Sequence, residues 1–262
     1  YYGQCTYIKL GFQIMKYKSY PETFWKQLNE TLAELKKNQS PLVALFDADG
    51  TLWDTDLGEN LFHYTIDNRL VELPPNPWEH YLELKKKNSD PRDAYLWLAQ
   101  IYKGQTLEQV RKWSDDALKS LQPFPVFDDQ KKLIDVLRNN QVTIKIITAS
   151  ITWAVEPGAR FLGLQNSDVI GVETLVQNGV VTDQKHGVIT YRSGKVDGYK
   201  QKHSDQPFLA VGNSEGDVEL LEFASRIRLA VSAANREDKL YRSEFQLQEI
   251  AKSKGWHFHR YI

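Results

Sequence analysis

The chain has 262 residues and a formal net charge of −1, so no polybasic face indicates a nucleic-acid partner. No apolar run reaches the length of a membrane span, and we expect no membrane partner. The N-terminus lacks Met and a signal-peptide apolar region, so a cytoplasmic location is expected. Met15 is the only methionine, which leaves open whether residues 1–14 are native. Cys5, the only cysteine, excludes an internal disulfide.

The first predicted element is a helix that begins near Ser19. Ser19 and Glu22 fit a capping box, with Pro21 in the first turn. Residues 1–18 carry no clear pattern and are left unassigned. Apolar residues then recur at helical spacing and predict one buried helix face. They are Phe24, Leu28, Leu32 and Leu35.

The stretch that follows carries the main functional signal. Residues 42–46 are apolar and predict a short buried strand. Asp47 and Asp49 come next, before Gly50 and Thr51 turn the chain. Carboxylates at the C-terminal end of a strand point into the crevice where open α/β sheets bind ligands. Two neighbouring acids repel each other, which favours a divalent cation, whereas a helix cap would use only one of them.

Residues 57–122 are predicted to be helical. The candidate helices are 59–71, 77–88, 91–103 and 107–121. Ser89 or Asp90 precedes the third helix and Gly104 ends it, and Thr106 with Gln109 forms a capping box at the start of the fourth. A helical block between the first two strands of an α/β domain looks like an insertion. We interpret it as a lid, and a separate bundle with no role at the site is the alternative.

A second strand is predicted at 142–147, after a helix at 128–140. It ends in Thr148, Ala149 and Ser150. A hydroxyl group at such a position can bind a phosphate oxygen together with neighbouring amides, and a helix cap is the alternative role.

A hairpin is predicted from strands 169–175 and 180–183, which flank Asn178 and Gly179. Further along, Lys195 follows Gly194 where a helix is expected to begin, and two other lysines lie nearby as alternatives. These are Lys200 and Lys202.

A strand at 208–211 leads into a loop with Asn213, Glu215 and Asp217. Asn offers a carbonyl oxygen to a hard cation but no negative charge, so a metal site there has low affinity unless Glu215 or Asp217 approaches. An Asx turn before a helix at 217–224 is a compatible structural role.

The remaining segments read as architecture: a strand at 227–231, a helix at 237–252 and a last strand at 256–262. His257 and His259 share one face of that strand, which is more typical of a partly exposed strand face than of a metal pair.

The ordered motifs resemble those of the haloacid dehalogenase-like (HAD) superfamily, most of whose members are phosphatases. The matching residues are Asp47, Asp49 and Thr51 for motif I, Thr148 (with Ser150 the alternative) for motif II, Lys195 for motif III, and Asn213 and Asp217 for motif IV. Asn213 is a departure, because many relatives have Asp there. The helical block resembles the C1 cap of phosphoserine-phosphatase-like members.

The resemblance implies an α/β fold with a Rossmann-like parallel sheet core and an inserted helical cap. The expected division is 1–57 for the first part of the core, 58–122 for the cap and 123–262 for the second part of the core. Phosphate monoester hydrolysis through an aspartyl-phosphate is implied, with Asp47 as nucleophile and Asp49 as general acid and base.

The resemblance also implies Mg²⁺ as cofactor and a set of phosphate-binding groups. The implied metal ligands are Asp47, the Asp49 carbonyl, Asn213 and Asp217, and the implied phosphoryl-holding residues are Thr148, Lys195, Gly50, Thr51 and Ala149.

The expected partner is a small phosphate ester, and the protein is expected to be a monomer or homodimer. Asp56 stands where phosphoserine phosphatases carry a Glu that holds the substrate's amino group. Leu98 replaces the expected Arg, and Arg92 is the nearest substitute. Residues 147–158 also resemble phosphorylcholine phosphatases loosely.

Aromatic residues are frequent in and next to the cap, and most are expected to pack between helices. They are Trp53, Tyr64, Trp78, Tyr81, Tyr95, Trp97, Tyr102 and Trp113. Two or three of them near Asp56 would form a cage for a quaternary ammonium, so an amino- or choline-bearing ester is the expected substrate: phosphoserine, phosphoethanolamine or phosphocholine. A phosphotransferase and an impaired regulatory protein that binds Mg²⁺ or phosphate are the alternatives.

Overall fold

The structure is a computed structural model that describes residues 17–262. Cys5 and Met15 lie outside the described residues, and so does the question of whether residues 1–14 are native. No helix in the described range combines the length and the hydrophobicity that a membrane span requires.

A single sheet of seven strands organises the part of the chain from residue 17 onward, in the order β4-β3-β2-β1-β5-β6-β7. The strands are β1 (Val43–Phe46), β2 (Thr143–Ile151), β3 (Val169–Gln177), β4 (Val180–His186), β5 (Leu209–Gly212), β6 (Ile227–Ser232) and β7 (His257–Arg260). Neighbouring strands are parallel except β3 and β4, which form the predicted hairpin. The predicted α/β fold with a mostly parallel sheet is therefore confirmed.

Helices cover both faces of the sheet, as the buried apolar strands require. They are α1 (Glu22–Lys37), α2 (Leu57–Asp67), α3 (Pro77–Lys86), α4 (Arg92–Gln100), α5 (Leu107–Ser120), α6 (Asp128–Asn139), α7 (Thr152–Phe161), α8 (Ser193–Lys200), α9 (Val218–Phe223) and α10 (Tyr241–Lys254). In β1, Ala44 and Phe46 face the cluster formed with α1, α6 and α7, while Val43 and Leu45 face α8, α9 and α10.

Helices α2 to α5 form the inserted block between β1 and β2, and they have their own apolar cluster. The cluster also takes in Val172 and Val181 of the hairpin and Trp153 of α7. Arg111 of α5 adds a two-pronged ion pair to Glu156 of α7, with nitrogen–oxygen distances of 2.7 Å. The helical cap is therefore held against one end of the sheet. Its predicted boundaries, 58–122, stay a prediction.

Several predicted boundaries differ from the structure. The capping box at Ser19 and Glu22 is wrong, because α1 begins after Pro21 without a side-chain cap. Strand β2 continues to Ile151, so the motif II residues lie in the strand and not beyond its end. The cap at Thr106 is present, since its side chain accepts from the Gln109 amide at 3.1 Å.

The two histidines of β7 pack beneath α1. The His257 ring lies 5.4 Å from the Phe24 ring, and the His259 ring lies 4.9 Å from the Tyr20 ring. His259 is only 9% exposed, so this strand face is more covered than predicted. His259 Nε2 also lies 2.8 Å from the Lys18 carbonyl oxygen, and these contacts account for both rings without a metal.

Candidate active site

The motif residues meet at the carboxyl end of the parallel strands, beneath the cap. Asp47 follows β1, Thr148 lies near the end of β2, Asn213 follows β5, and Lys195 lies in the first turn of α8. All four line a cleft of about 430 Å³, a size that suits a small substrate. Since carboxyl ends of parallel strands share one edge of the sheet, residues far apart in sequence become neighbours here.

Asp47 is buried and held from both sides. Its Oδ1 accepts from Lys195 Nζ at 2.5 Å, and its Oδ2 accepts from Thr51 Oγ1 at 2.8 Å. Burial and the nearby Asp217 charge raise the pKa of Asp47 to about 6, against the opposing effect of Lys195. Asp47 is therefore mostly ionised at pH 7, as a nucleophile must be.

Lys195 joins two carboxylates that come from different motifs. Its Nζ lies 2.5 Å from Oδ1 of Asp47 and 2.5 Å from Oδ1 of Asp217. Burial alone would lower the pKa of the ammonium, but the two carboxylates raise it well above its usual range. The alternatives Lys200 and Lys202 are exposed, and of these three lysines Lys195 is the one that lines the cleft.

Asp49 lies half-buried beside Asp47 with its carboxyl group turned toward the cap. Its Oδ1 accepts from Trp53 Nε1 and the Leu57 amide, both at 2.9 Å, and its Oδ2 accepts from Ser150 Oγ at 2.6 Å. Burial and then the charge of Asp56 raise the pKa of Asp49 to about 8. At neutral pH it is mostly protonated, which suits a group that gives up a proton.

Thr148 and Ser150 have separate contacts. Thr148 is 1% exposed, and its Oγ1 accepts from the Ser150 amide at 3.0 Å. The Ser150 hydroxyl instead binds Asp49. Thr148 and Ala149 line the cleft, so both can contact a ligand, while Ser150 orients the acid. This role of Ser150 was missed, because no local signal in the sequence connects it with Asp49.

Gly50 allows Asn213 to approach Asp47. A Cβ on Gly50 would lie 2.1 Å from Asn213 Nδ2, and the Gly50 φ of +75° disfavours any other residue. Asn213 Oδ1 lies 3.2 Å from Thr51 Oγ1, the same hydroxyl that binds Asp47. Its Nδ2 donates to Oε1 of Glu244 at 2.9 Å.

Asp217 anchors the motif IV loop. Its Oδ2 accepts from the amides of Asn213 and Ser214 and from Ser214 Oγ, while its Oδ1 binds Lys195. With both oxygens engaged, Asp217 fits the anchor role better than the role of direct metal ligand. Glu215, considered as a compensating charge, pairs with Arg192 at 3.1 Å.

The oxygen atoms present suit a hard divalent cation. Asp47 Oδ2 and Asn213 Oδ1 flank one hydroxyl, that of Thr51. Mg²⁺ is commonly bound by only one or two protein carboxylates, with water and phosphate oxygens completing its shell. Within the described range, no group of three or more His, Cys, Asp and Glu side chains is arranged for a metal. The donor set at Asp47 and Asn213 therefore fits Mg²⁺ with few protein ligands.

The cap side of the cleft carries more charge than predicted. Asp56 caps α2 by accepting from the Glu59 amide at 2.8 Å, and burial together with the Glu59 charge raises the pKa of Asp56 to about 6. Glu59 binds Lys85 at 3.0 Å and Lys239 at 2.6 Å. Glu59, Lys85 and Lys239 were missed, because helical periodicity does not reveal which polar residues meet across the cleft.

Only a small part of the predicted aromatic set reaches the cleft. Tyr81 and Tyr95 line it, together with Tyr191, whose ring lies 5.7 Å from that of Tyr95. Trp53 is fully buried in the main core against Phe124. The others pack within the cap cluster: Tyr64, Trp78, Trp97, Tyr102 and Trp113. The expectation that most of them pack between helices agrees with these contacts.

Leu98 and Arg92, the two positions compared with the carboxylate-binding Arg of phosphoserine phosphatases, lie in different surroundings. Leu98 is buried and lines the cleft. Arg92 pairs with Asp90 at 2.6 Å, and its guanidinium carbon lies 5.5 Å from the centre of the Tyr191 ring. Arg92 thus has partners of its own.

Comparisons with known proteins show which proteins this chain resembles. The phosphorylcholine phosphatase of Pseudomonas aeruginosa is 25% identical over 199 residues, which cover 61% of this chain and 56% of that protein. The chain thus spans little more than half of this relative.

Solved structures show the same fold. A protein of unknown function from Bordetella pertussis Tohama I has a TM-score of 0.69 at 18% identity, covering 85% of this chain and 100% of that one. A phospho-aspartyl intermediate analogue of phosphoserine phosphatase has a TM-score of 0.50 at 16% identity, covering 85% and 94%.

A family model described as haloacid dehalogenase-like hydrolase matches residues 44–222, which is more than half of the 262-residue chain and includes every motif from Asp47 to Asp217. The chain therefore belongs to the haloacid dehalogenase-like hydrolases.

Proposed function

We propose that this chain is a Mg²⁺-dependent phosphomonoester phosphatase that forms an aspartyl-phosphate on Asp47. Its main support is the pairing of two carboxyl groups with opposite protonation. Asp47 lies between Lys195 and Thr51 with a pKa near 6, whereas Asp49 has a pKa near 8. Two neighbouring carboxyl groups with separated pKa values can divide the roles of nucleophile and acid.

In the first step, the Asp47 carboxylate attacks phosphorus and the bond between phosphorus and the leaving oxygen breaks. Asp49 gives its proton to that oxygen, so the alcohol leaves neutral. In the second step, Asp49 takes a proton from water, whose oxygen attacks phosphorus and releases the Asp47 carboxylate. Phosphate is the second product, and one group serves as acid and then as base.

Positive charge and hydrogen-bond donors must offset the charge of the phosphoryl group. Lys195 supplies an ammonium beside Asp47, and Thr148 supplies a hydroxyl in the cleft wall. The Ala149 amide is proposed as a further donor. The amides of Gly50 and Thr51, expected to hold the phosphoryl group, instead donate to the carbonyl oxygens of Trp53 and Ala48 at 2.9 and 3.1 Å. Mg²⁺, held by Asp47, Asn213 and the Asp49 carbonyl, would supply the remaining positive charge.

The proposed substrate is a small ester that bears an amine or choline. The named activity of the Pseudomonas aeruginosa relative and the acid–aromatic wall of Asp56, Tyr81 and Tyr95 support this choice. Lys85 already lies over those rings, with its Nζ 5.0 Å from the centre of Tyr81 and 5.9 Å from that of Tyr95. A substrate ammonium would have to share this wall with Lys85, so a primary amine that binds Asp56 is more easily accommodated than a bulky quaternary group.

A panel of phosphate esters tests the proposal. Wild type is expected to release phosphate from p-nitrophenyl phosphate with Mg²⁺ and to stop when EDTA is added. Asp47→Asn should be inactive, whereas Asp197→Asn, which changes an exposed Asp on α8, should act like wild type. Absence of turnover over the whole panel would refute the enzyme and favour the regulatory alternative.

The same panel separates the substrates. Phosphoethanolamine, phosphocholine and phosphoserine are compared in wild type and Asp56→Asn. If Asp56 holds the amine, Asp56→Asn should raise KM for the amine-bearing esters and leave KM for p-nitrophenyl phosphate nearly unchanged. Adding glycerol detects a phosphotransferase, because phosphoglycerol would then form instead of free phosphate.

A further inference from the structure

The amide group of Asn213 is oriented by a residue outside the family motifs. Asn213 Nδ2 donates to Glu244 Oε1 at 2.9 Å, and both side chains are buried. An ionised carboxylate has no hydrogen to donate, so the Asn213 NH₂ must face Glu244. The Asn213 carbonyl oxygen consequently faces Thr51 and Asp47, where a cation needs an oxygen.

Glu244 is itself held in a fixed position. It lies in the first turn of α10 and is 2% exposed. Its Oε2 accepts from the amides of Ala233 and Ala234 at 3.0 and 2.9 Å. Because these amides hold Oε2, Oε1 points toward Asn213. All three hydrogen bonds are therefore donated to the Glu244 carboxylate.

Glu244 also places a negative charge directly beside the neutral Asn213 side chain. The Asn213 side chain is neutral, so as a cation ligand it would bring an oxygen but no charge. A carboxylate that hydrogen-bonds to a metal ligand both orients the ligand and increases its electron density. The hydrogen bond from Asn213 to Glu244 resembles the one that a metal-binding histidine commonly donates to a carboxylate.

We propose that Glu244 is a positioning residue for the cation site, which turns the Asn213 carbonyl oxygen toward Asp47 and supplies the negative charge that Asn213 lacks. This inference rests on the proposed Mg²⁺-dependent function. Glu244 touches neither substrate nor cation in this role and acts only through Asn213.

Glu244→Gln separates orientation from packing. The Gln oxygen would accept from the amides of Ala233 and Ala234, so its NH₂ would point at Asn213. Asn213 would then rotate by half a turn to accept that hydrogen bond and would present its own NH₂ to the cation. Loss of an outer partner of a metal ligand typically weakens metal binding by about ten- to a hundredfold.

The measurement is titration of Mg²⁺ and Mn²⁺ into substrate-free protein by calorimetry, with Mn²⁺ binding checked by electron paramagnetic resonance. Glu244→Gln should weaken both metals by at least about tenfold, and the Mg²⁺ concentration for half-maximal activity should rise in parallel. Unchanged binding of both metals would overturn the proposal.

The double variant Asn213→Asp with Glu244→Gln is the decisive partner experiment. Its Gln NH₂ would donate to the new carboxylate while the Gln oxygen still accepts from Ala233 and Ala234, so every group is satisfied. Metal affinity should return to the wild-type value or exceed it. If Glu244 were instead a direct ligand, the second substitution would not restore affinity, and the proposed role would be wrong.

Gln248→Met is the matched control for a purely structural role. Gln248 lies one turn further along α10, is 7% exposed, and donates to the Ala230 carbonyl oxygen at 3.0 Å without touching Asn213. It should lower stability but leave metal affinity unchanged. If the wild-type protein hydrolyses esters with Mg²⁺ and Glu244→Gln binds the metals normally, only the role of Glu244 is refuted. If the wild-type protein does not bind Mg²⁺ at all, the proposed function is refuted as well.

Discussion

Removal of Lys195 exposes two buried carboxylates to each other. Lys195 Nζ lies 2.5 Å from one oxygen of Asp47 and one of Asp217. The two oxygens are therefore at most about 5 Å apart, and without the ammonium they repel by about 3 kcal/mol at an effective dielectric constant of about 20. Breaking a buried ion pair costs a similar amount, about 3–5 kcal/mol. Lys195→Met is thus expected to lower the free energy of unfolding by about 3 kcal/mol at pH 8.

The loss should depend on pH in a defined direction. In Lys195→Met, repulsion raises the pKa of one of the two carboxyls above its unfolded value of about 4. Because Asp47 already has a pKa of about 6 in wild type, this repulsion adds little to the loss at pH 5 and more as pH rises above 6, where the variant must give up a proton that wild type has already released. At pH 5 we therefore expect a clearly smaller loss than at pH 8.

Urea unfolding of wild type and Lys195→Met at pH 5 and pH 8 measures both effects. Lys202→Met is the control, because this side chain is 51% exposed and lies 3.7 Å from Glu173 at the surface. The control should stay within about 0.5 kcal/mol of wild type at both pH values. A Lys195→Met protein as stable as wild type at pH 8, or a loss that does not change with pH, would refute the reasoning.

Two further predictions concern protonation and backbone geometry. The pH profile of kcat/KM should be bell-shaped with limbs near pH 6 and pH 8, because Asp47 must be ionised and Asp49 protonated; a profile that stays flat from pH 5 to 9 would contradict these roles. Gly50→Ala should lower stability by about 1–3 kcal/mol and reduce kcat, because its φ is +75° and its Cβ would lie 2.1 Å from Asn213 Nδ2. Gly104→Ala, at φ +84° with nothing within 4 Å, should lower stability alone; equal kcat in both variants would show that contact with Asn213 is unimportant.

The positions of the principal motif residues could be predicted because the signals are local. A short run of apolar residues before Asp47 indicates a buried strand, and the same holds before Asn213. Parallel pairing of β1 with β5 then brings the two residues to one edge of the sheet. The fold was predicted from the family resemblance that the ordered motifs carry.

Contacts across the cleft could not be predicted in the same way. Ser150 and Asp49 are 101 residues apart, and a strand pattern does not say which hydroxyl meets which acid. Trp53 and Tyr81 both look like residues of aromatic-rich segments, yet Trp53 packs in the main core while Tyr81 lines the cleft. Helical and strand periodicity identify a buried face but not the neighbour that covers it.

Glu244 is the clearest example of a contact that the sequence pattern could not predict. It lies 31 residues after Asn213 in a helix whose sequence indicates only an amphipathic surface element. The amino-acid sequence by itself determined the acids that follow β1 and the order of the motifs, because these depend on short-range patterns. The resemblance carried by those motifs implied the parallel sheet. Only the tertiary structure decided the direction of the Asn213 amide, the partners of Asp49 and the charged cap wall, because each depends on side chains that meet only after the sheet and the cap have packed together.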